Sequence, residues 1–185
     1  RGGRVLRSRP SPKLGSLLKD HSRALATAGT GQVLAQLIRT ARGVIIPLYA
    51  ADVIGLEVAS VGVIMSLAAL LDMSLFYPAG MLMDRLGRKY ASVPCFLIQG
   101  LGMALIPLST GFGSLLGAAL VIGLGNGIGA GTMMTLGADL APSHARGEFL
   151  GVWRFIGDGG HAGGSLAVGT VGDLLGITAT PFVIA

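Results

Sequence analysis

Three polar residues within one apolar stretch carry side chains suited to chemistry. Arg154, Asp158 and His161 are spaced i, i+4 and i+7, so they share one face if the stretch is helical. An internal Arg154–Asp158 ion pair would be purely structural, because a local partner is the commonest way to neutralise a buried charge. Alternatively, Asp158 or His161 changes its protonation state and moves a proton. The spacing alone leaves both interpretations open.

Polar side chains also interrupt other apolar stretches. Arg39, Asp72 and Asn126 lie in three of them, and Arg42 follows Arg39 at i+3. Arg39 either binds an anionic group or pairs with Asp72. Asn126 either adds a hydrogen bond in a cavity or only joins two helices. We expect the long Arg42 side chain to extend to the outer interface.

Long apolar stretches must position these residues. The chain is 51% hydrophobic and 12% charged, whereas soluble domains keep about a quarter of their residues charged. At 1.5 Å per residue, about 20 apolar residues cross roughly 30 Å of hydrocarbon. Candidate spans cover residues 24–51, 58–80, 90–110, 113–136 and 149–171. The sequence therefore predicts an all-α membrane protein with five complete transmembrane helices and, from near Leu174, the start of a sixth.

Counting helical rise from the cytoplasmic ends places several polar residues near the middle of the bilayer. Asp158 lies roughly 15 Å deep, His161 roughly 20 Å, Arg39 roughly 22 Å and Asp72 about 15 to 18 Å. Ionisable groups at such depths cost about 2.5 to 3.5 kcal/mol on insertion scales and usually face a polar pathway. Residues 91–110 contain no ionisable side chain. We therefore expect the third span to face lipid and the others to line a cavity.

Lysine and arginine are concentrated on one side of the predicted spans. The tail 1–23 is rich in them, the loop after the second span holds Arg85, Arg88 and Lys89, and the loop after the fourth holds Arg146, whereas the opposite loops contain none. Because cytoplasmic loops are enriched in Lys and Arg, we expect this side to be cytoplasmic and the protein to lie in the plasma or inner membrane. The net charge of +5 then reflects topology, and no nucleic-acid partner is predicted.

Glycines recur at a spacing of four residues, which lets helix backbones approach closely in lipid. The pairs and triplets are Gly123/Gly127/Gly131, Gly125/Gly129, Gly159/Gly163 and Gly160/Gly164. Their spacing does not fit a phosphate-binding loop. Cys95 has no second cysteine, and the three histidines are scattered. We therefore predict no metal site, no cofactor and no intramembrane enzyme activity.

The stretch from Gly80 to Lys89 reads G-M-L-M-D-R-L-G-R-K and joins the second and third spans. It closely resembles the signature loop of the major facilitator superfamily, G-x-L-x-D-R-x-G-R-K. Residues 138–147 also resemble the loop between the fourth and fifth helices of a six-helix half in that family. Two loops in register strengthen the resemblance.

In physical terms, Gly80 and Gly87 permit a tight turn, and the charged residues can face helix ends, acids or lipid phosphates. The resemblance implies a conformational latch, with Asp84 at the neighbouring half and Arg88 near an acid such as Asp139. The predicted gating residues are Gly80, Asp84, Arg85, Gly87, Arg88, Lys89 and Asp139.

The fourth span lacks an arginine and the fifth lacks a proline, which by resemblance favours the C-terminal half of the fold. Residues 1–23 then form a basic cytoplasmic tail or central linker. Residues 24–185 form the transmembrane half, which we expect to be truncated in its last helix, since both chain ends look cut. The expected partner of this half is a missing N-terminal half of the same chain.

The resemblance implies a secondary transporter that moves a small solute by rocking two halves around a midplane site. Proton-coupled efflux of drugs or metabolites is predicted, because buried titratable groups suit proton coupling and residues 42–49 resemble drug and metabolite exporters. Uptake of a small organic anion and a non-transporting sensor or scaffold are the alternatives. The expected partners are the solute, protons and the lipid bilayer. The predicted cavity and proton-coupling residues are Arg39, Asp72, Asn126, Arg154, Asp158 and His161.

Overall fold

The chain folds into a bundle of helices, seen in a computed structural model that describes residues 22–87, 89–129, 131–143, 145–176 and 180–184. The helices are α1 (Ser22–Tyr49), α2 (Val58–Ser74), α3 (Phe76–Leu86), α4 (Lys89–Leu105), α5 (Phe112–Ile128), α6 (Thr132–Leu140), α7 (Arg146–Leu175) and α8 (Thr180–Ile184). A π-helical turn, Ala50–Ile54, follows α1, and a 3-10 turn, Ile106–Leu108, follows α4. The prediction of an all-α fold is confirmed, because these ranges contain no strand. Residues 1–21 of the predicted tail lie outside them.

Two of the predicted spans consist of two consecutive helices each. Leu75 separates α2 from α3, and Gly131, with a φ of 75°, precedes α6 after the end of α5. By length and composition, the described stretches Val58–Arg85 and Phe112–Leu140 could each cross a membrane, and Val93–Leu108 is a shorter apolar helix. The number of spans stays a prediction. The start of the sixth span near Leu174 is wrong, since α7 continues to Leu175 and α8 begins at Thr180.

Glycines bring the main helices into close contact. α1 packs along α7, while α5 packs against both α2 and α4. A Cβ added at Gly160 of α7 would lie 2.6 Å from the Val33 carbonyl oxygen, and one at Gly123 would lie 2.7 Å from the Ala68 carbonyl oxygen. Close approach is therefore confirmed at these glycines. It is wrong for Gly131, Gly159 and Gly163, where an added Cβ would meet no neighbouring atom within 4 Å.

Two apolar clusters fill the bundle, with polar residues between them. The Tyr49 cluster contains Ala41, Ile45, Tyr49, Ile64, Met103, Leu115 and Ile122 among others, and the Trp153 cluster contains Leu25, Ala145, Phe149 and Trp153. Along α1, the polar residues Gln32, Gln36 and Arg39 lie between Leu25 of one cluster and Ala41 of the other. The fold thus holds a polar layer between two apolar ones.

Two aromatic residues near the ends of predicted spans are buried in the bundle. Tyr49 is 2% exposed, and its hydroxyl donates to the carbonyl oxygen of Pro107 at 3.0 Å. Trp153 is 1% exposed, and its Nε1 donates to the carbonyl oxygen of Met133 at 3.0 Å. Each side chain therefore connects two segments of the bundle through its hydrogen bond.

Most of the signature motif between the second and third spans is helical. Gly80 lies in the middle of α3, so the expectation that it permits a turn is wrong. Gly87 ends α3 with a φ of 90°, a left-handed conformation that glycine adopts without steric cost. The turn is therefore confined to the end of the motif.

The charged residues of the two loop motifs lie only partly within the described part of the chain. Asp84 and Arg85 are exposed on α3, and Asp139 is exposed near the end of α6. Arg88 lies outside the described residues, and Lys89 is described only as the first residue of α4. The latch between Arg88 and Asp139 stays a prediction.

Candidate functional site

A hydrogen-bonded network of four side chains connects α1, α2 and α5. Arg39 Nε donates to Asn126 Oδ1 at 2.9 Å, and Asn126 Nδ2 donates to Asp72 Oδ2 at 2.6 Å. Arg42 Nη2 donates to the same Asp72 oxygen at 3.2 Å and forms a salt bridge with it. The Asn126 amide therefore connects an arginine of α1 to the carboxylate of α2. We call these four residues the Asp72 network.

Helix spacing and glycine packing explain why these four residues meet. Arg39 and Arg42 are three residues apart on α1 and therefore share a face. Gly127 follows Asn126, and a Cβ at Gly127 would lie 2.7 Å from the Asp72 carbonyl oxygen. Because the residue next to Asn126 lets α5 approach α2 so closely, the short Asn126 side chain reaches the Asp72 carboxylate.

Asp72 is the centre of this network. The residue is 6% exposed and its Oδ2 accepts both hydrogen bonds, whereas its buried Oδ1 has no partner among the described residues. A buried polar atom without a partner costs about 1 to 3 kcal/mol. A proton on Oδ1 would displace none of the existing hydrogen bonds. The expectation that Arg42 extends to the outer interface is wrong, because its guanidinium turns to this carboxylate instead.

A cavity of about 230 Å³ lies beside Arg39, between α1, α6 and α7. Its lining residues are Gln32, Gln36, Arg39, Gly131, Met133, Met134, Trp153, Arg154, Gly157 and Asp158. A second cavity, of about 360 Å³, is lined by Arg39, Phe76, Asn126 and Gly131. Within the described part of the chain, the Arg39 Nη nitrogens have no hydrogen-bond partner. Arg39 therefore connects the Asp72 network to the cavities, and its Nη nitrogens can still donate hydrogen bonds to a bound molecule.

The two charged residues that α7 contributes to the cavity remain separate from each other. Arg154 and Asp158 are both exposed, and although both are described, the structure forms no salt bridge between them. The interpretation that Arg154 and Asp158 form a local ion pair is therefore wrong. With Arg39, the cavity lining has two arginines and one aspartate, which leaves one net positive charge.

His161, the remaining predicted site residue, lies outside both the network and the cavity. Its Nδ1 is 2.7 Å from Thr40 Oγ1, and that hydroxyl also donates to the Gln36 carbonyl oxygen at 2.9 Å. The contact joins α7 to α1. Sequence reasoning missed Thr40, because a threonine inside an apolar helix usually bonds only to its own backbone. The two cavity methionines were missed for a similar reason, since methionine in a span is an ordinary apolar residue.

Comparison with known proteins agrees with this architecture. The sequence profile of the Major Facilitator Superfamily matches residues 9–185. An uncharacterized MFS-type transporter from Methanocaldococcus jannaschii is 29% identical over 122 residues, which is 66% of this chain and 31% of that protein. The matched part thus spans less than a third of the relative's own length. No solved structure gives a significant match.

Proposed function

The chain belongs to the Major Facilitator Superfamily and is an integral membrane protein, and from this premise we propose that it works in secondary active transport. The transported species is a small solute, and the mechanism is alternating access around a site in the bundle. Protons drive the cycle in the direction of efflux. The Asp72 network is the observation that carries this proposal, because it connects a buried carboxylate to an arginine of the solute cavity.

Protonation of Asp72 supplies the coupling step. In its ionised form, Asp72 Oδ2 holds Arg42 of α1 and Asn126 of α5. A proton on the unpartnered Oδ1 neutralises the carboxylate and weakens the ion pair with Arg42. α1 is then less firmly held to α2. Because α1 also contributes Gln32, Gln36 and Arg39 to the cavity, proton binding and solute binding act on the same helix.

Direction and orientation are part of the same proposal. The sequence of residues 42–49 resembles exporters, which supports efflux. The Lys- and Arg-rich loops support a cytoplasmic position for the turn after α3, in the plasma or inner membrane. We also propose that residues 24–185 correspond to the C-terminal half of the family's fold. Uptake of a small organic anion is the second candidate: the net positive charge of the cavity favours an anion, and the flux assay below tests the direction.

Flux measurements test the proposal. The full-length protein would be reconstituted in proteoliposomes with labelled hippurate, ethidium or a neutral sugar, and protein-free liposomes would give the passive rate. We expect protein-dependent accumulation with an acidic lumen if proton and solute move in opposite directions. Accumulation with an alkaline lumen would instead support uptake. Absence of protein-dependent flux for every solute would contradict transport and support a sensor or scaffold.

Two aspartate variants test the coupling step. We expect Asp72→Asn to retain downhill flux but to lose accumulation driven by the pH gradient, because the side chain can no longer exchange a proton. Asp52→Asn is the matched control, since Asp52 is exposed in the turn after α1. Gradient-driven accumulation by Asp72→Asn equal to that of the unaltered protein would contradict the role of this carboxylate.

A further inference from the structure

We propose that the 230 Å³ cavity binds a small monoanionic organic solute, whose carboxylate is held by Arg39 and Arg154. The inference rests on the proposed transport function and adds the chemical class of the substrate. It is carried by the fixed orientation of Arg39, the charge of the lining and the apolar walls.

Asn126 fixes the orientation of the Arg39 guanidinium. The Nε atom donates to Asn126 Oδ1, and Asn126 is itself 6% exposed and bonded to Asp72. The two Nη nitrogens therefore remain as an end-on pair of donors beside the cavity. Two parallel N–H groups match the two oxygens of a carboxylate, and such a bidentate pair is among the stronger hydrogen-bonded contacts in proteins.

The charge of the lining selects a single negative charge. Arg39, Arg154 and Asp158 leave one net positive charge, which a monocarboxylate neutralises. A phosphate monoester carries about −1.5 to −2 charges at neutral pH and would leave the site negative. An organic cation would face two arginines and gain only one aspartate. The lining therefore favours a monoanion over both.

The remaining walls suit the apolar part of such a solute. Met133, Met134 and Trp153 contribute apolar surface to the lining, while Gln32 and Gln36 provide polar groups on α1. Methionine side chains are flexible and polarizable, so they adapt to solutes of different shape. The volume corresponds to about seven or eight water molecules at about 30 Å³ each, which limits the solute to a small molecule.

Matched acid and amide pairs test the site without knowledge of the natural solute. Thermal stabilisation of the purified full-length protein would be titrated with benzoate and benzamide, hippurate and hippuramide, and cyclohexanecarboxylate and its amide. Benzylammonium and phenyl phosphate complete the panel. We expect at least one acid to bind about tenfold more tightly than its amide, which corresponds to about 1.4 kcal/mol. Both charged comparators should bind more weakly than that acid.

Arginine variants locate the binding site. We expect Arg154→Gln to weaken acid binding about tenfold, and because Arg154 is exposed its replacement does not threaten folding. Arg39→Lys keeps the charge but loses the paired donors, so acid binding should also weaken. Arg146→Gln is the matched control, since Arg146 is exposed on the same helix about 12 Å away by helical rise. Its affinity should change by no more than about twofold.

Four results would overturn the proposal. Three concern the unaltered protein: no acid binds, an amide or benzylammonium binds as tightly as the acids, or phenyl phosphate binds more tightly than the acids. The fourth is that Arg154→Gln binds acids with the affinity of the unaltered protein. The flux assay separates this inference from the transport function. Acid binding without any flux would contradict transport and retain the anion site. Flux of ethidium or sugar without acid binding would contradict the anion site and retain transport.

Discussion

The side-chain amide of Asn126 donates a hydrogen bond of 2.6 Å to the carboxylate of Asp72 and thereby joins α5 to α2. The oxygen of the same amide accepts from Arg39 of α1. One neutral side chain therefore positions both the carboxylate proposed to carry a proton and the arginine proposed to bind the solute. Asn126 thus contributes hydrogen bonds to both α1 and α2, beside the direct Arg42–Asp72 salt bridge between those two helices.

Replacement of Asn126 by leucine should destabilise the protein. Leucine has a similar size but leaves Arg39 Nε without its acceptor and removes one of two donors from Asp72 Oδ2. We expect a loss of about 1 to 3 kcal/mol in the free energy of unfolding, measured by thermal or denaturant unfolding in detergent. Thr170→Ala, which removes an exposed hydroxyl bonded to its own helix, should stay within about 0.5 kcal/mol. Equal stability of the two variants would contradict the role of Asn126.

Local patterns explain how much of the fold could be predicted from the sequence. Apolar length and charge placement are properties of neighbouring residues, so the order of the main helices and the family were accessible. The breaks at Leu75 and Gly131 were not, because helix geometry at these points depends on packing against other helices. The motif was recognised, but its residue pattern does not indicate that Gly80 lies inside a helix.

The candidate site was only partly accessible for the same reason. Arg39, Asp72 and Asn126 were each singled out as polar residues in apolar stretches, but nothing local indicates that the amide lies between the two charges. Asp72 and Asn126 are 54 positions apart in the chain. Conversely, the i, i+4 spacing of Arg154 and Asp158 allowed a pair that the exposed setting of the cavity does not require, since both charges remain accessible to water.

Two glycines of α5 should respond to alanine in opposite directions. A Cβ at Gly123 would lie 2.7 Å from the Ala68 carbonyl oxygen, so alanine there forces α5 away from α2. We expect a loss of about 1 to 3 kcal/mol in unfolding free energy. Gly117 lies on the same helix, and a Cβ added there would meet no neighbouring atom within 4 Å, so alanine should be neutral or stabilise by up to about 1 kcal/mol. The same change in melting temperature for both variants would contradict the close α2–α5 contact.

Adjacent glycines of α7 provide a functional test of the contact between α1 and α7. A Cβ at Gly160 would lie 2.6 Å from the Val33 carbonyl oxygen, whereas one at Gly159 would meet no neighbouring atom within 4 Å. Gly160→Ala should push α7 away from α1 and separate Arg154 from Arg39, so acid binding and flux should both fall about tenfold. Gly159→Ala should retain both. Acid binding by Gly160→Ala equal to that of the unaltered protein would contradict the claim that this helix contact positions Arg39 and Arg154 for joint binding.

Trp153 belongs both to the cavity lining and to the apolar Trp153 cluster. Its Nε1 donates to the Met133 carbonyl oxygen, and Met133 itself lines the cavity. Trp153→Phe keeps an aromatic ring but removes that donor, so we expect a loss of about 0.5 to 1.5 kcal/mol in unfolding free energy. Acid binding should weaken without losing its preference over the amide, because both arginines are unchanged. Phe155→Leu is the control, since Phe155 is 78% exposed on the same helix. A loss of acid preference in Trp153→Phe would assign selectivity to the wall of the cavity instead of its arginines.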